Sequence, residues 1–217
     1  MKYTPIDKIL FRNNRQNFTN RLKRNSIAIF QSNDEFPRSG DQTYPFKQNP
    51  DLFYLSGIDQ EQTILVLFPD CPDPLYREIL FVRQTNPQIA VWEGHKYTKE
   101  EARFTSGILN VIWLDRFWDV LSNMIHYAET IYLNTNENDR YAHNVPYRDL
   151  RFIQDLKQKY PLHHYERAAP ILRDLRVIKS ATEIELTQKA CDITRGASNR
   201  ALRYPTPGAR AYETAQY

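Results

Sequence analysis

Residues 44–68 read YPFKQNPDLFYLSGIDQEQTILVLF, a proline-punctuated polar stretch that ends in the apolar run 63–68. Pro45 and Pro50 fix φ and remove backbone donors, and Lys47-Gln48-Asn49 leads into the aromatic-rich Leu52-Phe53-Tyr54-Leu55. Such a segment makes poor core, so residues 44–57 are expected to form a surface loop feeding a buried strand. Chemistry alone leaves two readings open: an ordinary connection, or part of a site. The run TILVLF has the length and continuous apolarity of a strand buried on both faces.

Further elements follow on either side. Phe11, Phe18 and Leu22 recur at helical spacing and predict an opening helix that ends near Asn25. Residues 26–30 (SIAIF) read as a short buried strand, followed by the turn-rich 31–41. On the other side, 77–83 (REILFVR) is a second strand. It is joined to the first by Pro69-Asp-Cys-Pro-Asp-Pro74, whose three prolines suit a stiff hairpin-like connection and exclude a central strand there. Thr98-Lys-Glu-Glu101 has capping-box spacing. Residues 111–114 are the next strand, and Asp115 is the expected N-cap of a helix over 116–128. A strand at 130–133, a polar loop at 134–144 and a helix over 147–159, stopped before Pro161, complete the pattern. Strands alternating with helices predict an α/β domain whose mixed sheet carries helices on both faces.

After Pro170 the character changes. Ser180-Ala-Thr-Glu183 is a second capping box, and Leu186, Ala190, Ile193, Ala197 and Ala201 mark one small-residue face of a long helix. Pro205, Pro207 and Gly208 are expected to end that helix. The natural division is a domain over 1–172, then a linker and the start of a second domain over 173–217.

Composition narrows the function classes. Apolar residues at 41% and aromatics at 13% are those of a folded chain. The 29 basic and 26 acidic residues are interspersed, which gives no electrostatic footprint for nucleic acid or membrane. No apolar run nears the roughly 20 residues that span a bilayer. Cys71 and Cys191 lie far apart and predict no disulfide framework, so a reducing cytoplasm is the expected compartment. Six glycines form neither GxGxxG nor GxxxxGK[ST], and no GxSxG occurs. The five histidines, His95, His126, His143, His163 and His164, fall in no ligand pattern, and adjacent His163 and His164 would face opposite ways in a strand. No catalytic or metal-ligating set is read from this chain.

Residues Tyr44, Pro45, Phe46, Lys47, Gln48, Asn49, Asp51, Phe53, Tyr54, Leu55 and Gly57 resemble the signature of the N-terminal domain of X-Pro aminopeptidases (aminopeptidase P), relatives of prolidase and creatinase. Lys47 departs from the arginine frequent there. Ile89-Ala-Val-Trp-Glu-Gly94 resembles a second family element, and residues 171–184 with the small-residue helix resemble the linker and first helix of the family's catalytic pita-bread domain.

The resemblance implies the ribonuclease H-like fold of the creatinase/prolidase N-terminal domain, and a parent metallopeptidase acting on peptides with proline at the second position. It implies two divalent ions, commonly manganese, held by two Asp, one His and two Glu beyond the first pita-bread helix. On that reading the chain stops at Tyr217 before those ligands, binds no metal and is inactive alone. It also implies a homo-oligomer in which Trp92, flanked by Glu93, Gly94 and His95 and so expected on an exposed loop, reaches the active site of another subunit, and in which Asp41 lies near the substrate amine. Trp113 and Trp118 are expected in the core. A stand-alone interaction module of the same fold and a prolidase-like dipeptidase fragment are the alternatives.

Overall fold

The computed structural model describes residues 5–138 and 145–203. Two compact units divide the chain, 1–175 and 176–217.

The first unit is built on a six-stranded sheet of β1 (Ser26–Gln31), β4 (Ile64–Leu67), β5 (Glu78–Val82), β6 (Asn110–Trp113), β7 (Thr130–Leu133) and β8 (His164–Arg167), with β2 (Pro37–Ser39) and β3 (Gln42–Thr43) forming a separate exposed hairpin. The sheet order is β6-β5-β4-β1-β7-β8. Only β4 runs against the others, pairing antiparallel with both β1 and β5, while β5–β6, β1–β7 and β7–β8 are parallel. Strand alternation divides the core. Ile27 and Ile29 face one layer with Phe117 and Leu121 of α5 (Phe117–Met124) and Phe152 and Leu156 of α6 (Arg148–Lys159). Ala28 and Phe30 face the other, with Phe18 of α1 (Lys8–Thr19), Leu52 and Leu55 of α2 (Pro50–Ser56), Ala102 of α4 (Lys99–Ser106) and Leu172 of α7 (Ala169–Val177). This is the expected mixed α/β sheet covered on both faces. The remaining helix of this unit, α3 (Pro87–Glu93), belongs to neither layer's buried set.

The reading of 44–57 as an extended loop is corrected: its second half is α2. The Asn49 side chain accepts from the backbone N–H of Asp51 at 2.9 Å and Leu52 at 3.5 Å. Pro50 occupies the first turn, where its missing donor costs nothing. Gly57 closes the helix in the left-handed region, its N–H donating to the Phe53 carbonyl. Seven residues are too few to show a helical period, so only the caps carried the signal. Asp115 is likewise not an N-cap. A 3₁₀ turn over Leu114–Arg116 runs straight into α5, which has no side-chain cap, and a second 3₁₀ turn, Ile125–Tyr127, replaces the end of the expected helix. The Thr98–Glu101 capping box is present, with both of its reciprocal bonds.

In the second unit the described residues form α8 (Ala181–Arg203), opened by the Ser180–Glu183 capping box. Ile184, Ile193 and Leu202 on it are exposed. Pro205, Pro207, Gly208 and part of the 134–144 loop lie outside the described residues. No helix among the described residues is long and apolar enough to cross a membrane.

Candidate functional site

The five parallel strands place their carboxyl ends along one edge of the sheet, and the segment after β1 runs along it. Tyr44 N–H donates to the Phe36 carbonyl at 2.9 Å, extending the β2–β3 hairpin, and Asn33 Nδ2 donates to the Lys47 carbonyl at 2.9 Å. Gln48 Nε2 donates to the carbonyls of Ile58 (2.9 Å) and Gln60 (2.7 Å), while its Oε1 accepts from Asn49 N–H. One amide therefore fixes both ends of α2. Asn134, at the end of β7, donates from Nδ2 to Asp51 Oδ2 at 2.9 Å. The side chains of Gln48, Asn49 and Asp51 thus hold the backbone around α2 in place.

A second group of polar residues surrounds the start of α6. Arg151 forms a two-pronged ion pair with Asp34 at 2.6 and 3.3 Å. Asp149 is buried, with Asn49 Nδ2 at 3.5 Å from its carboxylate. Burial, reinforced by the charge of Asp51, pushes its pKa up to about 7, against the opposing pull of Arg148. Its place in the first turn of α6 favours the anion, but desolvation outweighs that. Because the folded value exceeds the unfolded one of about 3.9, the native state retains a proton that the unfolded chain releases. The associated stability is complete below about pH 4 and is lost as pH rises through about 7. Asp149→Asn is expected to match the parent protein at pH 4 and exceed it at pH 8, by on the order of a few kcal/mol. Urea midpoints at the two pH values check this, and parallel pH profiles for the two proteins would contradict it.

Asp41 and Trp92 sit on different elements. Asp41 is exposed in the β2–β3 turn beside Gly40, whose φ is +57°. Trp92 belongs to α3, not to a loop, and its side chain is 89% exposed, next to exposed Val91. Among the described residues neither the Asp41 nor the Trp92 side chain makes a hydrogen bond, ion pair or ring contact, and none joins one to the other. The helix under Trp92 is nevertheless anchored. Asn86 Oδ1 accepts from Ile89 N–H at 2.8 Å at its start. Near its end, Arg83 Nη2 donates to Glu93 Oε1 at 2.8 Å, while Arg83 Nη1 lies 3.6 Å from buried Glu61, which also binds Lys96. Buried Glu61 is thus paired with two cations, and one of these cations fixes α3.

Trp113 and Trp118 are half-buried against the two core layers, each with a lysine ammonium over its ring. His163 approaches the Ile125 carbonyl, His95 pairs with Glu101, and His143 lies outside the described residues. Among the described residues no three His, Cys, Asp or Glu side chains converge to hold a metal. Among the described residues, what this edge offers chemically is an exposed indole and an exposed carboxylate above a hydrogen-bonded polar support. Sequence reasoning did not single out Gln31, Arg148 or Asp149. The only available signal was a glutamine following the apolar run SIAIF.

Residues 11–132 match the family described as aminopeptidase P, N-terminal domain. The Xaa-Pro aminopeptidase of Escherichia coli K12 is 24% identical over 207 residues, which is 93% of this chain and 46% of that protein. Human Xaa-Pro aminopeptidase 3 is 26% identical over 172 residues, 78% of this chain and 33% of that protein. Among solved structures, one from Bacillus anthracis, provisionally assigned as an aminopeptidase P, superposes with a TM-score of 0.85 at 27% identity, covering 97% of this chain and 50% of that one. The chain spans about half the length, or less, of the relatives it matches.

Proposed function

Since the chain belongs to the aminopeptidase P N-terminal domain family, we propose that it is the non-catalytic N-terminal part of an Xaa-Pro aminopeptidase, a metallopeptidase that releases the residue preceding proline. The observation that carries this reading is Trp92, 89% exposed on a short helix fixed at both ends. An unsupported seven-residue helix is marginal in water. Here an asparagine cap and the Glu61–Arg83–Glu93 relay hold it, as a docking element requires.

In this role the chain takes part in a homo-oligomer, and Trp92 supplies an apolar wall for the proline ring or the neighbouring side chain of a peptide in another subunit's site, keeping water away. Asp41, exposed in its hairpin turn, is assigned to hydrogen bonding near the substrate amine. The compartment proposed is the cytoplasm. Two divalent ions, manganese foremost, belong to the whole enzyme. The described residues here converge on no such centre, so no chemical step is assigned to them. Their work is to shape and support.

Trp92→Ala in the whole enzyme tests the reading. Because the side chain contributes nothing to the core, stability should change by less than about 0.5 kcal/mol, while kcat/KM on an X-Pro peptide falls about tenfold or more, equivalent to about 1.4 kcal/mol of transition-state stabilisation. Trp92→Phe should recover part of the loss. Unchanged kinetics in Trp92→Ala would overturn the assignment of Trp92.

A further inference from the structure

We infer that the pocket at the carboxyl end of β1, between the starts of α5 and α6, is a binding site for a small monocarboxylate carrying an aromatic or branched apolar group. The pocket holds about 280 Å³. It lies where the parallel strands end beside the reversed β4, the crevice in which open α/β sheets take ligands.

Gln31 is the decisive residue. Alternation along β1 places it in the row of Ile27 and Ile29, where an apolar side chain would suit the core layer. It is only 3% exposed. Its Oε1 accepts from Arg148 Nε at 3.0 Å, but its Nε2 is buried with no hydrogen-bond partner among the described residues. An unmade bond of this kind costs about 1–3 kcal/mol, and buried polar groups without partners call for a reason. An acceptor atom in the pocket supplies one.

Arg148 provides the charge. With Nε turned to Gln31, its terminal Nη groups make no hydrogen bond or ion pair among the described residues. Arg151, on the same wall, is already occupied by Asp34 and by the Pro146 carbonyl. A carboxylate can therefore take one oxygen to the Arg148 fork and bond the Gln31 amide, a charge-assisted pairing. The rest of the lining is apolar: Ile64, Leu114 and the ring cluster of Phe117, Trp118 and Phe152, whose centroids lie 5.1–5.8 Å apart. Asp155 at the mouth, with Asp34 nearby through Arg151, disfavours a dianion. The site selects one negative charge attached to an apolar body, not phosphate.

Calorimetric titration of the purified protein with N-acetyl-L-phenylalaninate tests this, with the neutral N-acetyl-L-phenylalaninamide and inorganic phosphate as comparisons. The carboxylate should saturate one site, the amide should bind at least tenfold more weakly, and phosphate should give no saturable heat. Arg148→Met should weaken the carboxylate at least tenfold. Gln31→Leu should do the same while its Tm equals or exceeds that of the parent, because it removes a buried unpaired amide. Equal binding of carboxylate and amide, saturable phosphate binding, or undiminished carboxylate binding in Gln31→Leu would each overturn the inference.

Discussion

Gly57→Ala is expected to cost about 2–5 kcal/mol and to leave a large fraction of the protein unfolded under mild denaturant. Two penalties combine. Gly57 closes α2 at φ +70°, a conformation that costs an L-residue roughly 1–2 kcal/mol. An alanine Cβ there would also lie 2.3, 2.6 and 2.8 Å from three atoms of the Phe11 ring. Phe11 is 2% exposed and packed edge-to-face on Phe53 at 5.9 Å, so the ring cannot swing aside without disturbing the α1–α2 contact. Overpacking of this kind adds about 1–3 kcal/mol. Gly107 is the internal control. It closes α4 at φ +73°, but a Cβ there meets only the flexible Lys8 side chain at 3.6–3.8 Å. Gly107→Ala should therefore cost only the conformational part, about 1–2 kcal/mol. Denaturation midpoints for the two variants separate the contributions, and equal losses would show that the Phe11 contact is unimportant.

The second large effect is at Arg15, whose side chain is fully buried. Its Nη1 donates to the carbonyls of Leu55 (2.9 Å) and Ser106 (3.0 Å), near the C-terminal ends of α2 and α4. Carbonyls in a last turn lack intrahelical partners, so one guanidinium from α1 serves two other helices. Nε donates to Glu78 at 3.3 Å, and Nη2 faces the same carboxylate at 3.3 Å as an ion pair without hydrogen-bond geometry. Burial lowers the Arg15 pKa and Glu78 opposes that shift, so the charge is maintained by its partners. Arg15→Met keeps most of the volume but strands both carbonyls, and should lose about 3–5 kcal/mol. Glu78→Gln should lose far less, about 1 kcal/mol or below, because the Glu78 side chain is 39% exposed and solvent screens the pair. If the two variants were equally destabilised, the ion pair and not the helix-end carbonyls would carry the effect.

Five of the six strands of the sheet were legible in the sequence because they are short apolar runs, and both capping boxes show their Ser/Thr-x-x-Glu spacing directly. What escaped was short or tertiary. α2 was hidden because seven residues cannot show a period and the prolines at 45 and 50 argued for an extended path, although Asn49-Pro50 and Gly57 are a start and a stop signal. α3 was hidden for the same reason, and with it the fact that Trp92 stands on a helix. β8 has the burial of an exposed edge strand, so HYER shows no apolar run. The buried polar residues are a different case. Gln31, Glu61 and Asp149 lie inside because partners from distant segments, Arg148, Lys96 with Arg83, and Asn49, meet them there. No local pattern records such meetings. For the candidate site, Asp41 and Trp92 could be named from resemblance, whereas the helix that carries Trp92 and the relay beneath it needed the fold.

The central claim is that this chain shapes a site whose reacting groups it does not supply. The most direct measurement is to incubate the purified 217-residue chain with manganese and an X-Pro peptide and to follow release of the N-terminal residue. No release above the peptide-and-metal blank is predicted. Metal-dependent release, lost on adding a chelator, would contradict it.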